Sequence, residues 1–165
     1  MRWNKKGNNM YGNTINRNNV NRGAAGGGIS RVILFNPPEG EAGRALKKAL
    51  RRAKVDVIVP DPMEYGAALG QFAGVRGLPA PELPEDIQEK AMTALSLRPT
   101  YPQLPDTLIV FAFLEGEAFD RALEAVRICG AGPFPYKAVL TPTNMTWSVY
   151  ACFREICAEH EQMNS

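Results

Sequence analysis

Two short acidic turns recur in the chain: Glu39-Gly40-Glu41-Ala42 and Glu115-Gly116-Glu117-Ala118. Carboxylates are hard oxygen ligands, and four converging on one point could hold Mg²⁺ or Ca²⁺ and support metal-dependent catalysis. The competing role is structural, because acids in the first turn of a helix complement its dipole. A second constellation is Thr141-Pro142-Thr143-Asn144 followed by Trp147. Its hydroxyls and amide can bind a small ligand, with Trp147 as a stacking surface. The competing role is that Thr143 and Asn144 cap a following helix while Trp147 anchors its start in the core. A third is the row Arg44, Lys47, Lys48, Arg51, Arg52 and Lys54, opposed only by Glu41. At helical spacing these cations share one face, which suits an anion, an acidic partner or solvent.

Several chemistries lack their residues. Gly26-Gly27-Gly28 has no Gly-Lys-Ser/Thr ending, so it is not a phosphate-binding P-loop. No Gly-x-Gly-x-x-Gly follows a strand, and no Gly-x-Ser-x-Gly occurs. The single histidine, His160, stands close to the C-terminus, a poor base for a zinc site or a Ser-His-Asp triad. Cys129, Cys152 and Cys157 are odd in number and lack metal spacing, which predicts reduced core thiols and a cytoplasmic location. The longest apolar run, Leu108 to Leu114, is too short for a membrane span, and the N-terminus lacks a signal-peptide core.

These residues need a scaffold, and the chain of 165 residues suits one domain. Residues 1–30 carry five basic residues, no acids and eight asparagines, and are expected to be a disordered tail. The other 135 carry 14 basic and 17 acidic residues, a net charge near −3. The overall positive charge therefore belongs to the tail and argues poorly for nucleic-acid binding. The basic helix also lacks the interleaved aromatics of a single-strand binder.

Arg31–Asn36 is read as a strand buried on both faces, followed by a helix to about Lys54. Val55–Val59 is a second strand, ended by Pro60. Asp61 caps a short helix that fades by Gly74. Residues 76–105 are a proline-punctuated connector with one helix between Glu85 and Leu97, expected as a surface excursion. Thr107–Phe113 is the third strand, and a helix runs from Glu115 to Gly130. Lys137–Thr141 is the fourth strand. A helix from Thr143 to about Glu159 closes the chain, before a disordered 161–165.

The halves 31–75 and 106–160 align. Val32-Ile33-Leu34-Phe35 falls on Leu108-Ile109-Val110-Phe111 at an offset of 76, and the Glu-Gly-Glu-Ala turns follow without a gap. Later, Val57-Ile58-Val59-Pro60 matches Val139-Leu140-Thr141-Pro142, Met63 matches Met145 and Tyr65 matches Trp147. Two βαβα repeats predict an α/β domain with a mostly parallel four-stranded sheet, order 2-1-3-4. The long helices fall on opposite faces, and the acidic turns face each other at a switch point between strands one and three. The alternative is a ferredoxin-like α+β sheet with strands two and three antiparallel.

The segment from Pro105 to His160 resembles a bacterial family of unknown function, domain of unknown function 3783. The resemblance rests on Leu108-Ile109-Val110-Phe111 before Glu115-Gly116-Glu117, and more on Lys137-Ala138-Val139-Leu140-Thr141-Pro142-Thr143-Asn144 followed by Trp147. It implies a small bacterial α/β domain and brings no reaction with it. The leading reading is a non-catalytic small-ligand-binding or regulatory module using Thr141, Thr143, Asn144 and Trp147. The first alternative is a metal-dependent enzyme using Glu39, Glu41, Glu115 and Glu117. The second is an adaptor acting through Arg44, Lys47, Lys48, Arg51 and Arg52. The partner is a small anionic ligand or an acidic protein, with neither membrane nor nucleic acid, and no cofactor is specified.

Overall fold

The structure, a computed structural model, describes residues 27–92 and 99–164. The described residues form a four-stranded open sheet and four α-helices: β1 (Arg31–Phe35), α1 (Gly40–Arg52), β2 (Val57–Ile58), α2 (Glu85–Met92), β3 (Leu108–Ala112), α3 (Gly116–Ile128), β4 (Lys137–Val139) and α4 (Val149–Asn164). Most of the expected tail, residues 1–26, lies outside the described residues. Ile29 and Ser30 are tied down: Ile29 N–H donates to Ala73 O at 2.7 Å and Ser30 Oγ to Phe113 O at 2.6 Å. At the other end α4 continues to Asn164, through residues expected to be disordered.

The strand order is β2-β1-β3-β4, as the alternation predicts. The sheet is mixed, however. β1 pairs with β2 and β3 with β4 in parallel, but β1 and β3 are antiparallel, Val32 opposite Phe111 and Phe35 opposite Leu108. The cause lies in the connector. After β2 the chain does return to the start of β1, where Ala73 accepts from Ile29. By Leu104 the chain has reached the far end of β1. There Asn36 Nδ2 donates to Leu104 O at 2.7 Å, and Thr107 Oγ1 donates to Asn36 O at 2.6 Å. β3 therefore enters where β1 finishes. β2 and β3 do not pair, so the ferredoxin-like arrangement is not formed.

Reversing one strand pair moves the helices. α1 and α3 pack on each other on one face instead of lying on opposite faces. Strand side chains alternate as a pleat requires. Val32, Leu34, Ile109 and Phe111 meet Leu46, Leu50, Phe119 and Ala122 below α1 and α3. Ile33, Phe35, Leu108 and Val110 meet Tyr65, Leu69, Phe72, Tyr150 and Phe153 on the other face. Among the described residues, α4, the 3-10 turns and the connector cover that second face. The connector accordingly buries Ile87, Ala91 and Leu104, and is part of the core rather than a surface excursion.

After each central strand the backbone turns through a left-handed residue, Asn36 (φ 54°) and Phe113 (φ 54°), and then a left-handed glycine, Gly40 (φ 70°) and Gly116 (φ 57°), which opens the helix. A Cβ disfavours such a conformation, which explains why glycine sits between the paired glutamates.

Candidate functional site

β4 is an edge strand, so half of its backbone groups have no strand partner. Asn144 takes up this deficit. Its Oδ1 accepts from Thr141 N–H at 2.8 Å and its Nδ2 donates to Val139 O at 3.0 Å. Thr141 Oγ1 accepts the Asn144 N–H at 3.1 Å. The expected capping of the closing helix by Thr143 or Asn144 is therefore corrected. Thr143 precedes a 3-10 turn, Asn144–Thr146, that Asn144 itself opens, and Thr143 makes no cap bond. The cap of α4 is Ser148, fully buried, whose Oγ accepts from Ala151 N–H at 3.0 Å. The signal for it was present: a serine directly before the apolar stripe of Val149, Cys152, Phe153 and Ile156.

Trp147 is half-buried and packs against the core of the α4 face. Its carbonyl accepts from Leu69 N–H at 2.8 Å, beside an antiparallel bridge between Ala68 and Ser148. The segments that follow β2 and β4 thus clasp each other. Thr141, Asn144 and Trp147 are brought together, but the side-chain polar atoms of Thr141 and Asn144 are engaged in holding the chain; Thr143 is exposed.

The acidic turns do not converge. Because β1 and β3 are antiparallel, Glu39 and Glu41 lie beside the start of β3, whereas Glu115 and Glu117 lie beside the start of β1, at the other end of the sheet. A site built from all four carboxylates is not formed. Among the described residues no group of three or more His, Cys, Asp or Glu side chains is placed to hold a metal ion.

The basic row is assembled as its spacing predicts. Arg44, Lys48, Arg51, Arg52 and Lys54 are exposed and Lys47 is half-buried. Between described residues, ion pairs such as Arg31–Asp56, Arg127–Glu124 and Arg154–Asp86 involve none of these cations. Sequence reasoning missed what lies next to them. A groove of about 660 Å³ runs between α1 and α3, floored by Ala45, Ala49, Ala53 and Ala125. Lys48 and Arg52 form the α1 bank and Asp120, Arg121 and Glu124 the α3 bank; Ile128, 62% exposed, stands at its edge. The groove was illegible because it requires both helices on one face.

The titratable groups of the interior fit a packed core. Burial pushes the Tyr65 hydroxyl up to about 12, and it donates to Gln103 Oε1 at 2.6 Å. Burial likewise pushes the Cys152 thiol up to about 12, keeping it protonated, and all three cysteines are free. On the surface, the Arg154 guanidinium bonds Asp86 through both carboxylate oxygens and holds that carboxyl below its ordinary range.

Fold and site together define a small mixed α/β domain with one markedly basic helical face. Residues 107–163 match the family described as a domain of unknown function (DUF3783), a span that begins just before β3 and ends within α4. No curated protein and no solved structure matches the chain. No helix of the described residues is long and apolar enough to cross a membrane.

Proposed function

We propose that this domain is a protein-interaction module that docks an acidic segment of a partner along α1 and the adjoining groove. The observation that carries the reading is a concentration of charge. Five of the 14 basic residues after residue 30 lie on α1 and a sixth, Lys54, follows it directly; all are exposed or half-buried and without acidic partners among the described residues. They stand beside an alanine-floored groove that an apolar helical face can enter. Surface ion pairs contribute only about 0–1 kcal/mol each. Affinity therefore requires both parts: apolar contacts in the groove, and carboxylates on Lys48, Arg52 and their neighbours. Binding through Thr141, Thr143, Asn144 and Trp147 is the weaker reading, because most of that cluster's polar capacity is spent internally. The metal-enzyme reading is weakened further by the separation of the acidic turns.

A fluorescent amphipathic peptide rich in Glu and Leu serves as a probe. Its anisotropy should rise on binding, the affinity should fall steeply with salt, and the double variant Lys48→Glu/Arg52→Glu should bind at least tenfold more weakly. Equal binding by the double variant overturns the reading. Equally tight binding of a random DNA oligonucleotide would make the face a general polyanion surface.

We also read the halves as copies of one unit. This is supported by the aligned sequences, the matching left-handed turns and the Ala68–Ser148 clasp. A chain in which a second copy of 106–160 replaces 31–75 should then unfold cooperatively; a molten product counts against it.

A further inference from the structure

A second cleft, of about 830 Å³, lies at the free edge of β4, between the end of α3 and the end of α4. Its volume is in the range of small-ligand sites. Part of its wall is apolar, formed by Leu123, Val126 and Phe134. Into it comes Lys137, whose ammonium is half-buried and donates to the Phe134 carbonyl. Lys137 forms no ion pair within the described residues. An ammonium has three donors, and the carbonyl occupies one. Burial pushes its pKa below the ordinary lysine value, because lost water has not been replaced by an opposite charge.

The other charged groups of the cleft bear on what enters it. Glu124 is held by Arg127, and Asp120 lies in the wall. One cation thus awaits one negative charge, and a dianion would bring a surplus charge towards these carboxylates. His160 closes the α4 side, its ring edge-on to Tyr136 at 5.5 Å and its Nε2 2.9 Å from Asn164 Nδ2. Its Nδ1 is buried without a hydrogen-bond partner, which leaves polar capacity unused in that wall.

We infer that this cleft binds a small organic monocarboxylate, its carboxylate on Lys137 Nζ and its aromatic or branched aliphatic body against Phe134, Leu123 and Val126. The apolar wall selects an organic acid over inorganic phosphate, and the single unpaired ammonium selects one charge over two. The cleft adjoins the α1–α3 groove at Asp120 and Glu124, but Lys137 and Phe134 lie outside that groove, so this site stands or falls without the α1 face.

The test uses the full chain, followed by ¹H–¹⁵N NMR during titration with benzoate, isovalerate, succinate, inorganic phosphate and the neutral isostere benzamide. Benzoate or isovalerate should give saturable shifts centred on Phe134, Lys137 and Leu123, with a Kd of about 1 mM or tighter. Benzamide, succinate and phosphate should each bind at least tenfold more weakly. Lys137→Met, which keeps the apolar stem, should lose at least tenfold in affinity, whereas Lys48→Glu/Arg52→Glu should lose none. The ¹³Cε resonance of Lys137 in the unaltered protein is a readout that needs no variant, and it should move with the monocarboxylate. The proposal is overturned if that resonance stays still, if benzamide or phosphate binds as well as benzoate, if a folded Lys137→Met variant binds normally, or if the shifts map to α1.

Discussion

Asn144→Asp should destabilise the domain more than Asn144→Ala at neutral pH, an ordering that separates an edge-strand latch from a helix cap. In the structure the amide makes two bonds of opposite sense: Oδ1 accepts from Thr141 N–H at 2.8 Å and Nδ2 donates to Val139 O at 3.0 Å. Alanine loses both. At about 1 kcal/mol net per bond, with water reaching this half-buried site, the cost is about 1–2 kcal/mol. Aspartate keeps the acceptor but sets a second carboxylate oxygen against the Val139 carbonyl, with no proton between them. The lost donor, the repulsion and the partial burial of a charge bring the cost to about 2–3 kcal/mol. A pure cap would tolerate the change, since Asp and Asn cap equally well. The pH dependence carries the opposite sign to that of a salt-bridged carboxylate. Facing a carbonyl, the introduced carboxyl has a folded pKa above its unfolded value of about 3.9. Its contribution is therefore fully present below that value and is lost as pH rises through the folded pKa. Urea unfolding of the wild type and both variants, at pH 7 and near pH 4, measures this with the wild type as reference at each pH. An Asn144→Asp protein within about 0.5 kcal/mol of wild type at pH 7 would refute the latch.

Three further outcomes follow from the same geometry. Ser148→Ala should cost about 1–2 kcal/mol through loss of the buried α4 cap, while Thr143→Ala should be near neutral; equal effects in urea unfolding would contradict the assignment. Gly43→Ala puts a Cβ 2.0 Å from the Pro38 carbonyl oxygen, which only backbone movement relieves, so the melting temperature should drop by the equivalent of about 1–3 kcal/mol or more; an unchanged value would mean that α1 sits further from the turn. The contribution of Tyr65 is fully present below its unfolded pKa near 10 and should be lost as pH rises towards about 12; Tyr65→Phe should flatten that loss, and an identical alkaline profile would place the hydroxyl in water.

The parts of the fold set by local pattern were legible. The continuous apolar runs at Val32–Phe35 and Leu108–Ala112, the helical stripes of α1 and α3, and the Asp61 cap with its reciprocal Glu64 bond all follow from spacing and residue type. Strand order followed from alternation. Strand direction did not, because it depends on the path of residues 75–104, whose prolines mark a break in regular structure without saying to which end of the sheet the chain is carried. That single ambiguity propagated to the site. It turned an expected meeting of Glu41 with Glu117 into a separation, and it brought Ala49 and Ala125 to one groove. The role of Asn144 was hidden for a different reason. Its partners lie behind it in the strand, whereas capping rules look forward into the helix.

The groove beside the basic face exists only because α1 and α3 lie together on one side of a mixed sheet. Interstrand NMR contacts in isotopically labelled protein test this directly. The account predicts backbone contacts between Val32 and Phe111 and between Leu34 and Ile109, in opposite order along the two strands, together with side-chain contacts between α1 and α3. Contacts running in the same order along β1 and β3, without any between the two helices, would contradict it.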